Sequence, residues 1–163
     1  MTANLGKTLT VQPGSLTAVY LSNGNYTVSI LNKYDVHTFY TENNQALRIN
    51  IKDLADMINL RSLGLNNFPG ITGDIENFSQ LVNLELLTIG NNVRRLYGNI
   101  TAFAGMTQAR SIYMQWMNAI VGTTGSLAHL HPDNGGKLTA FRYYHTAGAG
   151  GVEETDGVTW PQQ

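Results

Sequence analysis

The chain has 163 residues, with 10 Lys and Arg against 11 Asp and Glu, a formal net charge of −1 and 13% charged residues. That length suits one domain with a continuous core, and the near-neutral balance excludes the basic footprint of a nucleic-acid or anionic-membrane partner. A charged share about half the usual ~25% argues against a disordered, charge-rich regulator, and the absence of cysteine removes disulfides, thiolate metal sites and cysteine nucleophiles.

The opening Met1–Leu9 has no apolar stretch after a basic start, so no secretory signal is expected. No apolar run approaches the roughly 20 residues of a membrane span. The expectation is a polypeptide made in the cytosol that stays there or leaves the cell within a virus particle.

Residues 1–50 hold short β-type runs at Thr8–Val11, Leu16–Leu21, Tyr26–Leu31 and Val36–Tyr40. Ser22-Asn23-Gly24-Asn25 between two of them is a hairpin signal. This region is expected to be a β-rich N-terminal cap. Val36 and Phe39 stand 24 residues before Leu60 and Leu63 (60 − 36, 63 − 39), so a degenerate first coil begins there.

Residues 51–147 repeat themselves. Leu60-x-x-Leu63-x-Leu65 returns as Leu84-x-x-Leu87-x-Ile89, Ala109-x-x-Ile112-x-Met114 and Leu138-x-x-Phe141-x-Tyr143. The steps are 24 (84 − 60), 25 (109 − 84) and 29 (138 − 109) residues. A period of this size marks a solenoid of about four coils. Apolar pairs three apart precede each strand: Leu54 and Met57, Phe78 and Leu81, Phe103 and Met106, Leu127 and Leu130. Such spacing fits a short helical or 3-10 turn on the convex side. Asp53, Asn77 and Ser126, just before three of these pairs, are the expected N-caps. Further back, Gly73, Gly98 and Gly122 are read as turns, each two residues before an inward residue, Ile75, Ile100 or Thr124. One coil cannot bury its apolar side alone, so parallel strands of successive coils must stack about 4.8 Å apart.

The longer last step reflects an insertion at residues 131–136, His131-Pro132-Asp133-Asn134-Gly135-Gly136, whose composition marks a loop. Residues 148–163 form a Gly- and acid-rich C-terminal tail or cap. In it Val158-Thr159-Trp160 either docks as a last strand or belongs to a loose arm.

The segment from Gly73 to Asn92 resembles a leucine-rich repeat: Leu84-x-x-Leu87-x-Ile89-x-x-Asn92 fits that family's strand motif, with Asn92 at its asparagine position. The resemblance covers about Ile51 to Tyr144 and implies an α/β solenoid. The Gly-[Asp/Asn]-Ile openings and the Asn/Thr-rich style are similar to short repeat proteins of gut Bacteroidetes and their phages. The chain departs from the motif where Phe68 and Met117 fall opposite Asn92, with Asn67 and Asn118 each out by one.

In this family the strand residues between core positions face the concave surface. Here they are Ser62, Gly64 and Asn66; Leu86, Thr88 and Gly90; Ser111, Tyr113 and Gln115; Ala140, Arg142 and Tyr144. Tyr113, Gln115, Trp116, Arg142 and Tyr144 are the candidate binding residues, several of them of types favoured at hot spots. The bland alternative is that the aromatic residues only cover the sheet. His129, His131 and His145 near Asp133 lack a ligand signature, and no metal is expected. Arg94-Arg95 is of a type that can hold a phosphate or carboxylate, but reads rather as a solvated turn pair or an inter-subunit ion pair. Asn25, Asn77 and Asn99 match glycosylation acceptors by chance in an Asn- and Thr-rich chain. No nucleophile–base pair, phosphate loop or facing carboxylates appear, so neither catalysis nor a cofactor is expected. The resulting expectation is a non-catalytic interaction protein, a structural or decorating phage component whose partners are virion subunits or itself. The alternatives are a cellular module recognising protein or glycan on the concave face and, more weakly, a glycan-cleaving phage protein.

Overall fold

The computed structural model describes residues 7–11, 26–42, 45, 47–115, 117, 119–144, 152–153 and 160. Strands β1 (Lys7–Val11) and β2 (Tyr26–Ile30) form a two-stranded sheet. They are followed by β3 (Thr38–Glu42), β4 (Ile49–Asn50), β5 (Ser62–Asn66), β6 (Ile71–Asp74), β7 (Leu86–Gly90) and β8 (Leu96–Asn99). The last are β9 (Ser111–Gln115), β10 (Ile120–Thr123), β11 (Ala140–Tyr144) and β12 (Val152–Glu153). Two five-stranded sheets result, ordered β11-β9-β7-β5-β3 and β12-β10-β8-β6-β4. Every pairing in them is parallel.

Short 3-10 helices at Ile51–Leu54, Ile75–Gln80, Ile100–Phe103 and Thr124–Leu130 follow β4, β6, β8 and β10. Side chains three apart eclipse in a 3-10 turn. That is why Leu54 and Met57, Phe78 and Leu81, Phe103 and Met106, and Leu127 and Leu130 all reach the core. Turn-type bonds carry the chain on to the next strand, as in Met57 N–H to Leu54 O at 3.0 Å and Leu60 N–H to Met57 O at 2.9 Å. The alternating Leu63 and Leu65, Leu87 and Ile89, and Ile112 and Met114 point inward from the first sheet and are buried. One cluster runs from Val36 to Trp160. Each fully buried large side chain contributes roughly 1.5–3 kcal/mol, against the entropy of ordering the chain.

The second sheet is not visible in the repeat motif. Gly73, Gly98 and Gly122, expected in turns, lie within β6, β8 and β10 with φ of 130, 127 and 128°. The reason is local. A Cβ on Gly122 would stand 2.6 Å from Asn99 Oδ1 and 2.8 Å from Ile100 Cγ1 of the preceding repeat. Gly98 lies the same way over Asp74, and Gly73 over Asn50. Those side chains are the caps: Asn50, Asp74 and Asn99 accept from the backbone N–H of Lys52, Glu76 and Thr101. The caps therefore fall three residues earlier than expected. Asp53 and Asn77 lie inside the turns, where Asn77 donates to Asp74 O, and Ser126 donates to Thr123 O.

The asparagine register also shifts. Phe68, Val93 and Met117 are the equivalent buried residues after β5, β7 and β9. The turn after β7 thus has one more residue than the turn after β5, and Asn92 pairs with Asn67 through a 2.9 Å Nδ2–Oδ1 bond. An inter-repeat amide ladder exists elsewhere: Asn59 donates to Tyr34 O at 2.8 Å and Asn83 to Ile58 O at 3.0 Å.

At the N-terminal side β1 and β2 run parallel. The hairpin expected at Ser22–Asn25 and the run Leu16–Leu21 lie outside the described residues. Strand β3 pairs with β5 from Thr38↔Ser62 onward, placing Phe39 opposite Leu63. The 131–136 insertion is a local excursion that holds a 3-10 turn, Pro132–Asn134, ended by Gly135 at φ 84°. Leu138 N–H bonds Leu130 O at 2.8 Å across its base, so β11 stays in register with β9. Trp160 is buried, edge-on to Phe141 and His131 at ring separations of 5.3 and 4.9 Å. The tail is therefore docked at that residue and at β12. Val158 and Thr159 lie outside the described residues.

Candidate functional site

Strand alternation sends every second residue of β3, β5, β7, β9 and β11 to the face opposite the core. In-register pairing stacks these residues in rows. Thr38, Ser62, Leu86, Ser111 and Ala140 form the first. Tyr40, Gly64, Thr88, Tyr113 and Arg142 form the second. In the third, Glu42 pairs Asn66 and Asn66 pairs Gly90. Gln115 lies beside Gly90 and pairs Tyr144.

Tyr113 and Arg142 are thus cross-strand neighbours, as are Gln115 and Tyr144. Trp116 lies outside the described residues. Tyr40, which is not among the candidate residues expected from the sequence, heads the second row and is 57% exposed. Its ring lies across Gly64, where a Cβ would collide with it, and its hydroxyl accepts from Ser62 Oγ at 3.2 Å. A large side chain at Gly64 would displace that ring, so a packing role accounts for this glycine.

A shallow open depression of about 570 Å³ is set into the face. Thr88, Tyr113 and Gln115 line it from the strands, with Asn66 and Asn67 on one side and Asn91 and Asn92 on another. None of these seven residues is charged. Asn67, Asn91 and Asn92 have φ of 47, 44 and 58°, a left-handed conformation that asparagine tolerates better than other side-chain-bearing residues. The chain turns sharply out of β5 and β7 there, and the exposed Asn91 and Asn92 stand at the rim. Of these residues Tyr113 and Gln115 are among the candidate binding residues expected from the sequence. Asn66 and Thr88 are among the residues that strand alternation assigns to this face, Asn67 and Asn92 are the ladder asparagines, and Asn91 carries no signal of its own in the sequence.

Arg142 stands beside the lining as the cross-strand neighbour of Tyr113, and further charges lie just ahead of the strands. Glu85 sits between Arg61 and Arg110 at 4.0 and 3.7 Å, linking three successive repeats just ahead of their strands. Such exposed pairs contribute little individually. His129 Nε2 bonds Ala104 O at 2.9 Å, and His131 Nδ1 accepts from Asp133 N–H at 3.2 Å. His129 and His131 thus have structural partners, while His145 lies outside the described residues. Arg94 and Arg95 are exposed in the turn before β8. Asn77 and Asn99 are engaged in the turn and cap bonds already described.

No protein-family model matches the chain, and no curated protein is significantly similar to it.

Proposed function

We infer that this chain is a leucine-rich repeat solenoid that acts by binding, without chemistry of its own, through the face of the β3–β11 sheet. What supports the repeat assignment is recurrence. A strand, a second short strand and a 3-10 turn follow one another in the same order, with Leu, Ile and Phe returning to the same buried places. The observation that carries the binding reading is the depression, which gathers amide, hydroxyl and phenol groups from adjacent strands and the turns after them. The depression lies where the ends of β5, β7 and β9 meet the turns that follow them, a place where polar groups converge. The particle-component reading rests on sequence style, whereas the recognition reading has this feature of the face behind it.

The test is selection followed by substitution. A displayed random-peptide library and an oligosaccharide array are probed with the purified chain. Retained ligands are then measured against Thr88→Arg, on the sheet face, and Glu76→Arg, on an exposed 3-10 turn. Ligands should weaken at least about tenfold, roughly 1.4 kcal/mol, with the first variant and not with the second. The opposite pattern would refute the assignment to this face. Light scattering on the same samples addresses self-assembly: a stable trimer or larger assembly would favour the particle-component reading.

A further inference from the structure

Charge is divided unevenly between the two sides of the solenoid. Asp35, Asp53, Asp56, Asp74, Glu76 and Asp133 each lie in a described 3-10 turn or within two residues of one, and Lys33 and Lys52 are the only Lys or Arg so placed. The strand face is the reverse. Arg61, Arg110 and Arg142 stand on it or at its leading edge, all exposed. Glu85 is the one carboxylate there whose side chain is described. It approaches Arg61 Nη1 at 4.0 Å and Arg110 Nε at 3.7 Å, longer than a hydrogen bond, and both arginine side chains stay 68% exposed. A guanidinium carries five N–H donors in a planar fork that suits a carboxylate at two points. Each arginine therefore has donors left for a second carboxylate.

An apolar group stands among these charges. Leu86 is 43% exposed, and its cross-strand neighbours Ser62 and Ser111 are too small to cover it. Arg61 and Arg110 immediately precede those two serines. The Tyr40 hydroxyl accepts from Ser62 Oγ, and Tyr113 lies diagonally across from Leu86. A lone exposed leucine needs no explanation. One bordered by tyrosines and arginines, the residue types that carry binding energy between proteins, points to a partner.

Resting on the recognition reading of this face, we propose that its partner is an acidic segment of another protein. Carboxylates of the segment pair with Arg61, Arg110 and Arg142, and an apolar side chain beside them packs on Leu86 and the two tyrosine rings. The carboxamides lining the depression present donors and acceptors side by side for the segment's backbone. A sugar offers little apolar surface to cover Leu86, and a basic segment would meet like charge.

Two displayed libraries of short peptides are the probes. Both fix one leucine or phenylalanine among variable positions; one is biased to Asp and Glu, the other to Lys and Arg. The acidic library should be enriched on the purified chain and the basic library should not. For synthetic copies of the selected peptides, fluorescence polarisation should show Kd rising about tenfold or more between about 0.1 and 1 M salt. Arg61→Gln combined with Arg110→Gln should weaken binding about tenfold, Arg142→Gln about threefold and Leu86→Ala at least about fivefold, while urea melts confirm folded chains. Lys52→Gln, in a 3-10 turn, should change it less than about twofold. The proposal is overturned if no acidic peptide is retained, if basic peptides are enriched as well, or if binding is indifferent to salt, to the arginine variants or to Leu86→Ala. Thr88→Trp, which obstructs the face without adding charge, separates this proposal from the reading beneath it. If Thr88→Trp releases oligosaccharides or uncharged peptides and no acidic peptide is among the ligands, the acidic segment fails and the recognition face stands. If no ligand of any class responds to Thr88→Trp, the face itself fails.

Discussion

Replacing Gly122 by alanine tests how one repeat is locked to the one before it. The perturbation has two parts. Gly122 has φ 128°, where a Cβ is strained by about 1–3 kcal/mol. That Cβ also falls 2.6 Å from Asn99 Oδ1, the atom that caps the 3-10 turn through Thr101 N–H at 2.9 Å. Displacing the cap costs about a further 1 kcal/mol, the usual loss when such a cap is removed. Gly122→Ala should therefore destabilise by about 2–4 kcal/mol, and Asn99→Ala by about 1 kcal/mol. The double variant should cost no more than Gly122→Ala alone, because the cap is already displaced in that variant. Urea unfolding monitored by circular dichroism supplies the cycle, with a coupling of about 1 kcal/mol expected. Additive effects would refute the argument that strand glycine and cap form one device. A loss below about 1 kcal/mol for Gly122→Ala would refute the strain itself.

Three further outcomes follow from the packing and the ladders. Trp160→Ala empties a buried site beside Phe141 and His131 and should cost about 3–5 kcal/mol in urea melts; a loss under about 1 kcal/mol would mean that the tail does not close this end of the core. Trp160→Phe should be far milder, since the buried Nε1 has no hydrogen-bond partner among the described residues. Asn83→Ala removes the bond to Ile58 O and should cost about 1 kcal/mol, and an unchanged midpoint would count against the amide ladder. Glu85→Ala, which breaks both exposed ion pairs, should cost no more than about 1 kcal/mol in low salt and less in high salt; a large, salt-independent loss would contradict the surface assignment.

The apolar residues at every repeat carry enough information to place β5, β7, β9 and β11 and the 3-10 turns between them. Period-two and period-three burial leave their mark on residue type, and a residue such as Leu63 or Phe78 has few alternatives to the core. The face residues could be assigned for the same reason, because alternation decides them once the inward set is known. Other features depend on contacts made across repeats. Gly73, Gly98 and Gly122 look like turn glycines until the cap side chain of the preceding repeat is seen beneath them. Asn67 looks one position out of phase until the longer turn after β7 brings Asn92 to it. The depression exists only because Asn66, Thr88, Tyr113 and Gln115 come from three neighbouring strands and meet the turns after them. Burial is written residue by residue along the chain. The shape of a surface is set by side chains about 24 residues apart in sequence and one strand apart in space, and only the folded chain brings them together.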